Sequence, residues 1–386
     1  MSQADIGAQA DAFLEASKSS SFFLAALILL PCLHYIYATL AASRPLPGLP
    51  LVSLNGLSPR ASWRKHGNGV VKKGLEEHDG PFQVLAGTGP KVVLPNRYAE
   101  EVKNCAALSL TASTSKDFFI KYPGFEGPRT LTSGTDLIQN TIRTALNRSL
   151  GELVEDLADE AGDAIAQVFG LDEQWHTVTI WPAMLSTVAQ MASRAFLGKQ
   201  LCRDQRWLEI AKNYTNDAFA ASMELRKVPA LLRPIVFRFL PHCTKCRRHY
   251  KDATRLIAAE LEQRKLAAQM AYRVGEKPPK KEDAIAWFVD VAKEQSETID
   301  LVAAQLGLTI AAMLAPTDSM CQVLQDLCEH PELFQPLREE EAKAVGEHGW
   351  TQDALSRLEL MDSLLKESQR LNRSIGMSMT HRGPPR

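Results

Sequence analysis

At 386 residues the chain can bury one large hydrophobic core or two ordinary ones. Its 44 Lys and Arg against 45 Asp and Glu leave a formal net charge of −1, which excludes the global basic field of a nucleic-acid-binding protein. The seven cysteines (Cys32, Cys105, Cys202, Cys243, Cys246, Cys321, Cys328) form an odd, scattered set that suits reduced cytosolic thiols and excludes a disulfide scaffold.

Between Lys18 and Arg44 there is no charged residue, and residues 22–40 are mostly Leu, Ile, Ala and Phe. A helix of that length, rising about 1.5 Å per residue, covers a hydrocarbon core of about 30 Å. Asp5, Asp11 and Glu15 precede it, and Arg44, Arg60, Arg64 and Lys65 follow. The positive-inside rule therefore puts residues 1–20 in the lumen and the body in the cytosol. The small residues at 38–43 suit a signal-peptide cleavage site. The lack of a positive n-region and the long apolar run favour an uncleaved single-pass anchor over 21–43. Pro45, Pro47 and Pro50 cannot continue that helix and predict a stiff stalk over 44–58. The body then spans 59–386.

Residues 81–86 and 91–94, joined through Gly87-Thr88-Gly89, read as a β-hairpin with a glycine turn. Asn96 is placed to cap a helix running to Lys103. Helical spacing dominates from Leu137 onward: Ile142, Leu146, Leu150, Leu153, Leu157, Ala161, Ile165 and Val168 predict one apolar stripe. Further helices are expected over 182–196, stopping at Gly198, and over 207–226. The apolar stretch 231–240 carries Arg233 and Arg238 and suits either a membrane surface or a core loop. Residues 276–283 read as a solvated surface loop.

Residues 301–317 are uncharged and lie between Asp300 and Asp318, short for a membrane span and interrupted by Gln305 and Thr309. They predict a helix apolar on all faces, buried in a large domain, that Pro316 kinks or ends. Residues 322–330 and a segment entered at Pro331 are helical. In the last helix Leu358, Met361, Leu364, Leu365 and Leu371 mark a buried face, and Glu367 and Arg370, three apart, can pair. Exposed, such a pair means little; beside a buried stripe it is a clamp.

Cys243 and Cys246, with His242 and His249, have local metal-ligand spacing, but no second Cys/His pair completes a zinc site, so they read as ordinary surface thiols. Phosphate-loop, zinc-protease, nucleophile-elbow and dinucleotide motifs do not occur. The residues alone thus describe an anchored, mainly α-helical body with a small β-sheet, and no reaction.

Certain segments resemble the cytochrome P450 family of haem-thiolate monooxygenases. They include Gly80-Pro81-Phe82, Tyr122-Pro123-Gly124-Phe125-Glu126, Ser193-Arg194-Ala195-Phe196-Leu197-Gly198, His330-Pro331-Glu332-Leu333 and Lys366-Glu367-Ser368-Gln369-Arg370. The likeness is to the fungal microsomal branch that includes ent-kaurene oxidase-like and indole-diterpene oxidases. It implies haem, dioxygen, electrons from NADPH through a membrane-bound cytochrome P450 reductase, and a location in the endoplasmic reticulum membrane. The implied substrate is an apolar terpenoid-like product of secondary metabolism. By the same resemblance Glu367 and Arg370 match the E-x-x-R core clamp. Arg143 stands where a family arginine contacts a haem propionate, with Gln139 in place of the usual tryptophan. Ala311, Ala312, Leu314, Ala315 and Thr317 occupy the oxygen-activating stretch, where the family's acid (or His) and threonine are absent and Thr317 falls two residues late.

The family draws its iron ligand from F-x-x-G-x-x-x-C-x-G downstream of E-x-x-R, whereas the last cysteine here, Cys328, precedes that pair. The expectation is a P450-like fold lacking its C-terminal part, with no haem-ligand cysteine and no other metal ligand, inactive as written. The alternative is a non-catalytic, membrane-anchored remnant that binds apolar ligands or partners.

Overall fold

Ser58 opens the first long helix of the computed structural model, which describes residues 33–132 except 35 and 39, 137–278, 281–294 and 298–372. The greater part of the expected anchor over 21–43 lies outside the described residues. The chain divides into two compact units, Met1–Glu100 with Arg226–Pro234, and Glu101–Leu225 with Ile235–Arg386.

In the smaller unit the Ser58 hydroxyl accepts the Ala61 amide and Pro59 takes the first helical position, where its missing N–H costs nothing, so α1 runs Pro59–Glu77. The expected hairpin follows as β1 (Phe82–Ala86) and β2 (Gly89–Val93), antiparallel, with Phe82 opposite Val93 and Ala86 opposite Gly89. Strand β1 is buried at every position, because α1 covers it and Gly74 gives up its side chain to the Phe82 ring. Gly87 is required where it stands, since a Cβ there would come within 2.6 Å of the Arg226 carbonyl oxygen. The segment expected as a stalk is pinned along β1. Gln83 donates from Nε2 to the carbonyls of Leu46 (2.7 Å) and Leu49 (2.8 Å) and accepts the Leu46 amide at 2.7 Å. Its backbone also pairs with Pro50 and Val52.

A 3-10 turn over Asn96–Tyr98 leads into α2 (Ala99–Asn104). Pro95, not Asn96, holds the cap position and offers no side-chain bond, because Asn96 already lies inside the turn.

The larger unit is helical: α3 (Leu110–Asp117), α4 (Glu126–Leu131), α5 (Leu137–Thr141), a π-turn over Ile142–Leu146, and α6 (Asn147–Phe169). Then come α7 (Ile180–Leu201), α8 (Gln205–Lys227), the short α9 (Arg233–Val236, whose first two residues belong to the smaller unit), α10 (Pro241–Arg273) and α11 (Ala284–Glu294). The series ends with α12 (Leu301–Glu329), α13 (Phe334–His348), α14 (Gln352–Ser356) and α15 (Glu359–Leu371). Gly198, expected to stop α7, adopts φ +75° and breaks it locally, after which the chain recovers one more turn. The apolar stripe of α6 is real at Leu153 and partly buried Leu157, but Leu150 and Ile165 at its margins remain exposed.

Two expectations fail for one reason, that paired polar groups and thiols go inside. Asp283, assigned to a solvated loop, is buried: both carboxylate oxygens take the Arg264 guanidinium (2.9 and 2.6 Å) and one caps α11 at the Ala286 amide. Cys243 and Cys246 are core thiols, not surface ones.

Helix α12 is the axis of this unit. Asp300 caps it by accepting the Ala303 amide at 3.0 Å and is held by the Tyr250 hydroxyl at 2.6 Å. Residues 303–310 are buried on all sides, as expected of a helix apolar all round. Beyond Ile310 only Met313, Thr317, Cys321, Val323 and Leu327 stay buried, and Pro316 lies on the open side without ending the helix. By length and composition α12 could cross a membrane, but over half of its apolar stretch is buried in the protein (56%), which marks a core helix. Met361 and Leu364 of α15 pack on Val323, Leu327 and Leu337, while Leu365 and Leu371 remain exposed.

Candidate functional site

The segment 311–317 of α12 gathers the residues expected at the reacting centre. Ala311 and Ala315 are exposed, Ala312 and Leu314 half-buried, and Thr317 buried. The Thr317 hydroxyl donates to the Met313 carbonyl at 2.7 Å, so its proton is spent within the helix. Pro316 has no N–H, which deprives the Ala312 carbonyl of its usual helical donor. Nearby, the Trp181 indole N–H donates to Asp318 Oδ1 at 2.8 Å. The side chains of Ala311, Ala312, Leu314 and Ala315 carry no ionisable proton.

Glu367 and Arg370 do pair, with Arg370 Nε and Nη2 donating to the two carboxylate oxygens at 2.7 and 2.6 Å. The guanidinium holds the Glu367 carboxyl below the usual carboxylate range. Both side chains are more than half exposed, at 54% and 63%, so the pair stands on the surface of α15 rather than beside its buried stripe. Arg143 lies in the π-turn and is exposed. Helix α15 is tied to α12 by the Asn372 amide on both Asp326 carboxylate oxygens, at 3.1 and 3.0 Å. The structure therefore groups the α12 residues on one helix and leaves Arg143 and the Glu367–Arg370 pair on others.

Several polar residues that hold these helices together carry no motif. Tyr214, fully buried on α8, donates its hydroxyl to the Gly124 carbonyl at 3.0 Å and accepts the Gly127 amide at 3.1 Å, anchoring the entry to α4. Gln305 is buried in α12; its Nε2 reaches the Phe196 carbonyl at 3.4 Å and its Oε1 has no partner among the described residues. Glu160 is buried on α6 and takes the Arg203 guanidinium on both oxygens (3.0, 3.2 and 3.0 Å), with the Gln190 amide at 2.5 Å. Burial raises its carboxyl, but the Arg203 and Gln190 hydrogen bonds outweigh it and leave the carboxyl below its usual value. Glu160 and Arg203 line a cavity of about 290 Å³ with Asp156, Asp159, Asp163, Arg194 and Lys199, and no residue of segment 311–317 lines it.

No group of three or more His, Cys, Asp or Glu side chains among the described residues is arranged to hold a metal ion. Burial pushes the Cys202 and Cys243 thiols up to about 11 and raises Cys246 and Cys321 as well. Cys105 and Cys328 are exposed. Cys202, Cys243 and Cys246 are wholly buried against packed side chains, so none presents an open face to a haem iron.

The family model described as cytochrome P450 matches residues 129–384. The cytochrome P450 monooxygenase bsc2 of Alternaria brassicicola is 40% identical over 334 residues, which covers 85% of this chain and 63% of that protein. The cytochrome P450 monooxygenase adrA of Penicillium rubens is 35% identical over 356 residues, 89% of this chain and 68% of that protein. The chain thus spans about two-thirds of the length of these relatives. Among solved structures, retinoic acid-bound cyanobacterial CYP120A1 matches with a TM-score of 0.56 at 16% identity, covering 86% of this chain and 71% of that one. At that identity the likeness speaks for the fold.

Proposed function

Since the chain belongs to the cytochrome P450 family, we propose that it serves a haem-dependent monooxygenase activity of fungal secondary metabolism. The observation that carries this reading is the extent of the likeness to fungal monooxygenases, which runs through most of the chain rather than one motif. The substrate class is an apolar, terpenoid-like molecule, and NADPH supplies electrons through a membrane reductase. A lumenal tail over 1–20, an anchor over 21–43 and a stalk over 44–58 place the body over 59–386 on the cytosolic face of the endoplasmic reticulum.

In this reading segment 311–317 faces the reaction and Arg143 serves a haem propionate, while the exposed Glu367–Arg370 pair is the E-x-x-R pair of the family, solvated in these 386 residues. Haem would supply oxygen activation, and the wholly buried Cys202, Cys243 and Cys246 do not fit as its ligand. The α12 residues supply shape: small alanines and Pro316 leave room along the open side of the helix, and the Thr317 hydroxyl is committed to Met313. The 386 residues alone are therefore expected to turn over little or no substrate. The committed Thr317 hydroxyl and the proton-free side chains of 311–315 favour a second reading, a non-catalytic relative that binds apolar ligands.

The test is the ferrous–carbon monoxide spectrum of the purified chain after haem reconstitution, beside a product whose transcript is read beyond the Arg386 codon. The first reading expects a thiolate-type band only in the longer product. Such a band in the 386-residue chain overturns its assigned inactivity. No band in either, with saturable binding of apolar ligands, hands the case to the second reading.

A further inference from the structure

Helices α8 and α10 face each other with matched heptad spacing. Asp217 and Glu224 lie seven apart on α8, and His242, Lys245 and His249 lie three and seven apart on α10, so each set shares one face. Asp217 receives His242 Nδ1 at 2.7 Å on one oxygen and His249 Nε2 at 2.9 Å on the other, with Lys245 Nζ at 3.7 Å. A carboxylate only accepts, so both contacting imidazole nitrogens carry the proton. In neutral His242 the other nitrogen, Nε2, is then a bare lone pair. It faces Glu224 Oε1 at 3.7 Å, and the buried Glu224 Oε2 has no donor among the described residues.

Two acceptors thus oppose each other across a half-buried gap, and one proton on His242 Nε2 converts that opposition into a charge-assisted contact. The edge of the Tyr214 ring stands against the His249 ring, with centroids 6.4 Å apart. The nearby Cys243 and Cys246 are neutral thiols, raised by burial and by the charges of Glu224 and Asp217 respectively; Glu126 of α4 and Arg247 also act on Cys246. The cluster sits where the chain leaves the larger unit after Leu225 and re-enters it at Ile235.

We propose that Asp217, Glu224, His242, Lys245 and His249 form a proton-operated latch between α8 and α10. It fastens both ends of the 226–240 excursion when the imidazoles are charged and slackens when they are neutral. Free imidazole titrates at about 6.5, so the latch works across the mildly acidic to neutral range. The proposal does not depend on the oxygenase reading.

The experiment is backbone hydrogen exchange of the full chain in detergent micelles at about pH 5.5 and about pH 8, each corrected for intrinsic exchange. Amides of 226–248 should exchange about tenfold more slowly at the lower pH, and His242→Gln, whose amide still donates to Asp217 but cannot ionise, should abolish most of that difference. An equal corrected rate at both pH values, or a difference that survives His242→Gln, overturns the latch. Imidazole titration of the wild-type chain by nuclear magnetic resonance gives a readout that needs no variant. The slowing of exchange over 226–248 should follow the His242 protonation curve, and exchange that changes in a different pH range overturns the proposal.

Discussion

Gly127 and Gly307 let two helices touch backbone to backbone. A Cβ on Gly127 would stand 3.1 Å from the Gly307 amide nitrogen, and one on Gly307 would stand 3.0 Å from the Gly127 carbonyl oxygen. Helix α4 therefore lies directly on the buried half of α12, and a methyl group has no flexible side chain to displace. Gly307→Ala should destabilise by about 1 to 3 kcal/mol through overpacking. Gly346→Ala, inside α13 with nothing within 4 Å of the new atom, should stabilise by about 0.5 to 1 kcal/mol. Denaturant midpoints of the two variants should move in opposite directions.

Tyr214→Phe tests how the entry to α4 is held. The substitution keeps the ring in its buried site but removes the donor to the Gly124 carbonyl and the acceptor of the Gly127 amide. Two backbone groups are left without partners, at about 1 to 3 kcal/mol for each. A loss of stability below about 0.5 kcal/mol would mean that water or backbone shifts replace the hydroxyl.

Glu160 predicts an acid limb. Its folded carboxyl is depressed, so its contribution is fully present above the ordinary carboxylate range and is lost as pH falls through the lowered folded value. Glu160→Gln should cost about 1 to 3 kcal/mol at neutral pH and flatten the fall in stability on acidification. Denaturation midpoints measured across the acid range for both proteins decide this. Parallel curves would exclude Glu160 as a source of acid lability.

Much of the architecture was legible because it follows from local chemistry: the Gly87 turn and the unbroken apolar run of 303–310 each carry a sequence signal. What sequence reasoning missed is long-range pairing. Asp283 looked solvated because its neighbours are lysines and prolines, and only Arg264, nineteen residues earlier, makes it a core residue. Gly127 and Gly307 are unremarkable separately. The acid and base stripes of α8 and α10 could have been seen as two heptad-spaced sets, but nothing local says that those faces meet. The Glu367–Arg370 pair was found by spacing, whereas its exposure depends on what packs over α15.

That exposure yields the last prediction. Both members of the pair are solvated, and the ion pair lies within a single helix, three residues apart. Water and salt screen such a pair, and holding two long side chains together costs entropy. Glu367→Gln and Arg370→Gln should each leave the denaturation midpoint of the 386-residue chain unchanged within error, and a double-mutant cycle should show no coupling. Asp326→Ala, by contrast, removes the acceptor that holds Asn372 and ties α15 to α12, and should loosen α15 in hydrogen exchange. If Glu367→Gln instead unfolds the chain, the pair is covered in solution, and the brace that the family resemblance implies is already at work within these residues.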